Sequence, residues 1–294
     1  MNDYGRTDLA CEAPEAPEES GVAVREYRRS GVRIEEMTVH AGRGEALTGR
    51  AAGKYATLHC GKIWQFDRRE MARTAQAASA VLRSFLEEAL GRAPGKGTGI
   101  LVAGLGNRFI TPDSIGPRTA DLVTVTNHAA GEATLLDTLG CSRVSAVSPG
   151  VLGQTGLEAA ALIADAVQAA GADVLIAVDA LAARSTARLA TTIQISDAGI
   201  RPGSGIGNMR AAITRAEMGV PVIALGVPTV VDSSTLVWDA LERAGIRTLS
   251  DELRHVLEDG RSYIVSPRES DLIASSVAEL LGGALNRALT PALL

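Results

Sequence analysis

Apolar positions along the chain change their period twice. Residues 21–66 alternate, as in Val22-Ala23-Val24-Arg25-Glu26-Tyr27 and Arg33-Ile34-Glu35-Glu36-Met37-Thr38-Val39, with Gly31, Gly42 and Gly44 as breaks. A period of two with glycine punctuation predicts half-exposed strands or hairpins. Over residues 67–90 the spacing turns helical, with Met71, Ala75, Ala78, Leu82, Phe85, Leu86 and Ala89 ahead of Gly91, which predicts an amphipathic helix. Beyond it, unbroken apolar runs at 99–104, 173–178 and 220–226 are interspersed with helical stretches at 156–170, 209–218, 234–244 and 270–289. Runs that short are read as strands buried on both faces. Their succession with helices predicts a three-layer α/β fold with a largely parallel or mixed central sheet. Residues 21–294 are read as one domain, with 21–66 as its strand-rich N-terminal part.

Residues 1–20 follow neither period. They carry Asp3, Asp8, Glu12, Glu15, Glu18 and Glu19 against Arg6 alone, so the whole net charge of −5 resides there. With Pro14 and Pro17 and almost nothing to bury, this stretch is expected to be a mobile acidic arm outside the core. The rest of the chain is charge-balanced. It lacks the Lys/Arg excess that neutralises phosphates, which argues against direct nucleic-acid binding. Cys11, Cys60 and Cys141 are an odd number, far apart and without C-x-x-C spacing, so neither a disulfide framework nor a structural zinc site is expected. A reducing cytoplasm suits them. The acidic start has no secretory pattern, and no apolar run reaches the roughly 18 residues of a membrane span.

Candidate chemistry is sought beyond the carboxyl ends of the strands, where open α/β sheets bind ligands. The first buried run leads through Gly104-Leu105-Gly106-Asn107 to Asp113, and the second ends directly on Asp179. If these strands are neighbours, the two carboxylates face each other across a crevice. A close pair resists double ionisation and holds one proton near neutral pH, so one member can accept a proton from water while the other donates. The competing reading makes Asp113 the cap of a helical turn starting at Ser114, and Asp179 a partner of backbone amides or of Arg184. The loop Pro202-Gly203-Ser204-Gly205-Ile206-Gly207-Asn208 fits neither phosphate-binding pattern, and Ser204 lacks a nucleophile elbow. The histidines show no H-E-x-x-H spacing. Neither a metal nor a cofactor is therefore expected.

Taken together, Arg6-Thr7-Asp8-Leu9-Ala10, the block from Val102 to Pro117, the block from Ile176 to Arg210 and the block from Gly219 to Asp232 resemble the germination protease of spore-forming bacteria. The run Asp179-Ala180-Leu181-Ala182-Ala183-Arg184-Ser185, with Thr192-Ile193-Gln194-Ile195-Ser196-Asp197, is its most specific part. The resemblance implies an atypical aspartic-type endopeptidase, similar in fold to hydrogenase-maturation proteases and assembled as a homotetramer. Such an enzyme degrades small acid-soluble spore proteins at germination, in the cytoplasm of the forespore and spore core. Its essential aspartates map onto Asp113 and Asp179. It is made as a zymogen and removes its own N-terminal segment at a substrate-like sequence; Thr7-Asp8-Leu9-Ala10 fits, placing the cut between Asp8 and Leu9. Residues 1–8 are then a propeptide. Arg184 or Arg188 is expected to receive the acidic side chain, and amides near residues 203–207 (Gly203, Ser204 and Gly205 among them) to line the substrate site and hold the oxyanion. Relative to that family, the stretch from Arg247 to Tyr263 is compact. The rivals are a metal-assisted hydrolase using the same carboxylates and a non-catalytic sporulation binding protein of the same fold.

Overall fold

A computed structural model describes residues 7–13, 21–95, 97–132, 138–203, 210–246, 248–259 and 263–293. The strands are β1 (Val22–Arg29), β2 (Val32–Val39), β3 (Gly53–His59), β4 (Gly99–Gly104), β5 (Arg143–Val147), β6 (Val174–Ala182), β7 (Thr192–Ser196), β8 (Val222–Asp232) and β9 (Ile264–Val265). They form one mixed sheet in the order β1-β2-β3-β7-β8-β6-β4-β5, with β9 on the far end of β8. One half, β8-β6-β4-β5, is parallel. The other, β1-β2-β3-β7-β8, is antiparallel.

The helices are α1 (Arg43–Thr48), α2 (Arg68–Leu90), α3 (Ile115–Asp121), α4 (Leu152–Thr155), α5 (Ala159–Ala170), α6 (Arg215–Met218), α7 (Ser233–Arg243), α8 (Asp251–Asp259) and α9 (Ser270–Leu289). Helix α2 starts in a reciprocal cap: Asp67 accepts the amides of Arg69 and Glu70, and Glu70 accepts the amide of Asp67, so the orphan donors of the first turn are satisfied. Its apolar stripe and that of α9 cover one sheet face, over Ile34, Leu58, Ile100, Ile176, Ile193 and Leu225. On the parallel half, α5 covers the opposite face, over Leu101, Leu175 and Ala177.

Side chains alternate across a strand, and this fixes what each face carries. Along β6, Val174, Ile176 and Val178 belong to the α2/α9 layer, while Leu175 and Ala177 belong to the α5 layer. Asp179 therefore shares the α5 face. On β7, Ile193 and Ile195 face α2 and α9, which turns Gln194 to the same face as Asp179.

Two sequence expectations require correction. The helix expected over 209–218 is only the single turn α6, because Ile200 and Ile213 exchange backbone hydrogen bonds of 3.0 and 2.9 Å and Thr214 caps the turn that follows. Residues 7–13 of the acidic arm are also not outside the core, since Leu9 and Ala10 are buried; residues 1–6 and 14–20 of the arm lie outside the described residues. Leu9 packs with Leu181, Ala183, Leu189 and Val231, and Ala10 with Met37, Val39 and Tyr55. Two apolar side chains suffice to dock a short segment even when its neighbours are charged, because burial of a Leu alone is worth about 1.5–3 kcal/mol.

Candidate functional site

Strands β4 and β6 are parallel neighbours with Gly104 beside Val178, and this pairing brings their two exit loops together. After β4, Leu105 continues the register by donating to the Val178 carbonyl at 2.8 Å. Gly106 then adopts φ +109°, where a Cβ would stand 2.1 Å from the Asp113 carbonyl oxygen; only glycine allows that turn. The short turn Thr111–Asp113 is held by the Thr229 hydroxyl of β8, which donates to the Pro112 carbonyl at 2.7 Å. Behind it, Gly116 of α3 lies against the carbonyls of Leu105 and Val178, at what would be 2.1 and 2.5 Å from a Cβ.

Asp113 does not cap α3. Its carboxylate turns back and accepts the Asn107 amide at 2.7 Å, and Ser114 stands at the cap position without a side-chain cap bond. Asp179 is almost wholly buried and accepts the Ala180 amide at 2.9 Å. Burial raises the carboxyl pKa of Asp113, against the opposing Asn107 amide. Asp179 lies well above the ordinary carboxylate range, first through burial and then through the negative charges of Asp113 and Asp8. Both carboxyls are pushed toward their protonated forms, and a close carboxylate pair resists double ionisation.

Past Val178, β6 outruns β4 and leaves an edge free, and the N-terminal segment lies along it. The Asp8 amide donates to the Ala182 carbonyl at 2.8 Å. The Ala182 amide donates to the Asp8 carboxylate at 2.9 Å. Arg50 reaches over from the loop after α1 and donates to the carbonyls of Thr7 and Leu9. Gln194 spans the Leu9 residue: its Nε2 donates to the Asp8 carbonyl at 3.0 Å and its Oε1 accepts the Ala10 amide at 2.7 Å. Further along, the Glu12 carboxylate accepts the amides of Arg184 and Ser185 at 2.7 and 3.0 Å.

These groups line a cleft of about 1030 Å³ that includes Asp8, Arg50, Asp179, Arg184, Gln194 and Gly203. Of the residues singled out in the sequence, Asp8, Asp179 and Arg184 share this cleft, Asp113 is near enough to Asp179 for its charge to act on it, and Leu9 is packed against Leu181 beside it. The Arg184 guanidinium pairs with Glu242. Arg188 lines a neighbouring pocket of about 450 Å³ and faces the His59 ring at 3.0 Å. Gly203 lies on the cleft wall, whereas Ser204, Gly205 and the rest of that glycine loop to Asn208 fall outside the described residues. Among the described residues, no three His, Cys, Asp or Glu side chains converge as a metal site, and no helix is long and apolar enough to cross a membrane. The Cys60 thiol is pushed up to about 12 by burial, which keeps it protonated and poorly nucleophilic.

Sequence reasoning missed Arg50, Glu12 and Gln194. A signal existed for Gln194, since Thr192-Ile193-Gln194-Ile195-Ser196 alternates like a strand with one polar face. Arg50 lies in a loop far from any motif and carried none.

Comparison with known proteins bears on this arrangement. A sequence profile of the family described as germination protease matches residues 7–255, from the docked segment through β8 and into α8. The chain is 37% identical to the germination protease of Caldanaerobacter subterraneus subsp. tengcongensis, over 98% of this chain and 95% of that protein. It is 32% identical to that of Clostridium tetani, over 98% and 96%. The germination protease of Bacillus licheniformis is 39% identical over 81% of this chain and 66% of that protein. The match spans both exit loops, the β7 strand and the segment they hold, and the chain belongs to the germination protease family.

Proposed function

We propose that this chain is an endopeptidase acting at spore germination, that it cuts small acid-soluble spore proteins, and that it first removes its own residues 1–8. The observation that carries this reading is the seating of Thr7-Asp8-Leu9-Ala10 along β6 beside Asp179, with its backbone gripped on both sides. A protease holds its substrate largely through main-chain hydrogen bonds; here the Asp8 amide reaches the Ala182 carbonyl and the carbonyls of Thr7, Asp8 and Leu9 are held by Arg50 and Gln194, before the chain turns into the short 3-10 helix Ala10–Glu12.

The chemistry follows from the pair. Ionised Asp113 takes a proton from water as the water oxygen attacks the Asp8 carbonyl carbon. The protonated Asp179 donates to the carbonyl oxygen, giving a neutral gem-diol. On collapse, Asp113 passes its proton to the Leu9 nitrogen, the C–N bond breaks, and Asp179 recovers a proton from a diol hydroxyl. The products are the Asp8 carboxyl group and the Leu9 amine, and the dyad returns to its starting state. Family membership also supports a homotetramer and action in the spore core.

The test is to incubate the full chain, with and without EDTA, and to weigh the products. A peptide copying residues 4–14 is supplied in trans, and Asp113→Asn and Asp179→Asn chains serve as controls. Cleavage after Asp8 that survives EDTA and disappears in both variants is expected. If EDTA abolishes cleavage and added metal restores it, the metal-free mechanism is wrong. If the wild-type chain and the peptide stay whole and a spore protein is also left uncut, the proteolytic reading fails.

A further inference from the structure

We propose that Gln194 is the carbonyl-polarising residue of this site: its side-chain amide holds the oxygen of the peptide bond that is cut, and its carbonyl fixes the register of the chain beyond it. The inference rests on the proteolytic reading above and adds a group that the aspartate pair does not supply.

The geometry is specific to the bond in question. Of the carbonyls in the docked segment, those of Thr7 and Leu9 go to Arg50, while that of Asp8, the one preceding Leu9, goes to Gln194 Nε2 at 3.0 Å. The same side chain accepts the Ala10 amide at 2.7 Å. One planar amide therefore bridges the two peptide groups that flank Leu9, and it cannot shift toward one without leaving the other. Gln194 is itself buried, in the middle of β7 between Thr57 of β3 and Gly226 of β8. Its neighbours Ile193 and Ile195 are locked into the opposite face by α2 and α9. A donor held this rigidly is preorganised, and such a donor is most effective where negative charge develops.

A carbonyl oxygen has two lone pairs. Gln194 occupies one from the β7 side, which leaves the other for the proton of Asp179 on β6. As the carbonyl carbon becomes tetrahedral, the Nε2–H bond strengthens on the oxygen carrying the developing charge. No bond to Gln194 is made or broken, and it neither gains nor loses a proton.

The experiment follows self-cleavage of the full chain by the appearance of the Leu9 N-terminus, in wild type, Gln194→Glu and Gln194→Met. Both substitutions preserve the length of the side chain and remove the donor. Each is expected to slow cleavage by about 10²–10³-fold, the loss found on removing one oxyanion donor. The Glu variant regains a donor when its carboxyl group is protonated, so its rate relative to wild type should climb as pH falls, whereas the Met variant shows no such recovery. If Gln194 served register alone, the Glu variant would still accept the Ala10 amide and would cut near the wild-type rate with a flat ratio across pH; that result overturns the proposal.

A second measurement guards against variants that misfold and does not depend on turnover. In an Asp113→Asn background, labelling Asp with ¹³C at the carbonyl and Leu with ¹⁵N marks three peptide bonds, Asp8–Leu9, Asp121–Leu122 and Asp271–Leu272. Adding Gln194→Met should move the Asp8 carbonyl resonance and leave the other two in place. An unmoved Asp8 signal refutes the contact. A wild-type chain that cuts normally alongside an unaffected Gln194→Glu chain removes this inference and leaves the proteolytic reading standing. A wild-type chain and trans peptide that both stay whole remove the two together.

Discussion

Strand β7 borders two surfaces built on different terms. On one side Ile193 and Ile195 disappear under α2 and α9, within a continuous layer of aliphatic side chains. On the other, Gln194 meets a stretch of backbone from residues 8–10 through two hydrogen bonds. The helix-covered side excludes water permanently and depends on close packing. The cleft side is closed by a short segment whose main chain is satisfied by Gln194, Arg50 and the edge of β6, all groups that water can satisfy equally when the segment leaves. Apolar packing makes a face that has to stay shut, whereas polar bridging makes one that can exchange its occupant.

The sharpest break in that comparison is chemical. Asp113→Asn or Asp179→Asn should slow cleavage after Asp8 by about 10⁴-fold or more, the scale of losing one member of a catalytic unit, as read by intact mass over days. Next come the two faces themselves, compared in an Asp113→Asn background so that the chain stays whole. Ile195→Ala should cost about 2–5 kcal/mol of global stability in urea denaturation, because the helix layer cannot relax around the cavity. Leu9→Ala removes an equally buried side chain but should cost clearly less, since the segment undocks before the sheet unfolds. Equal losses would show that both faces belong to one cooperative unit.

Two smaller effects involve protons. The Asp179 pKa is raised in the fold by burial and by neighbouring carboxylates, so the folded chain holds a proton that the unfolded chain releases above about pH 4. Stability is therefore lost as pH rises from there towards the folded value. Asp179→Asn escapes that loss: it should melt a few degrees above wild type at neutral pH, and the gap should close towards pH 4. Thermal melts of both proteins across that range decide the matter. The smallest shift concerns Asp8, whose charge is one of the causes raising Asp179. Asp8→Asn should move the alkaline limb of the self-cleavage profile to lower pH. An unmoved limb would place the titrating proton elsewhere.

Much of this arrangement is written in local sequence pattern. The run at 99–104 coincides with β4, the amphipathic stretch at 67–90 with α2, and the long helix at 270–289 with α9. Asp113 and Asp179 stand out because apolar runs lead to them. Other parts depend on contacts distant in sequence. Strand β7 hides in a mixed run, and its placement between β3 and β8 is a property of the whole sheet. The resemblance marks Thr7-Asp8-Leu9-Ala10 as a substrate-like sequence, but the burial of Leu9 and Ala10 is illegible in the pattern, because they are two apolar residues in an acidic stretch whose binding surface comes from β2, β3, β6 and β8. Arg50 reaches that segment from a loop more than forty residues away in sequence.

The contact of Gly116 with the carbonyls of Leu105 and Val178 acts as a ruler one carbon long. Because β4 and β6 are interior strands of the sheet, a methyl group added there displaces α3 rather than the strands, and α3 carries the Asp113 turn with it. The spacing between the two carboxylates is thus set by the thickness of bare backbone. A chain bearing alanine at this position would keep its sheet and its cleft and lose the alignment of its acids, a defect of tolerance rather than of assembly.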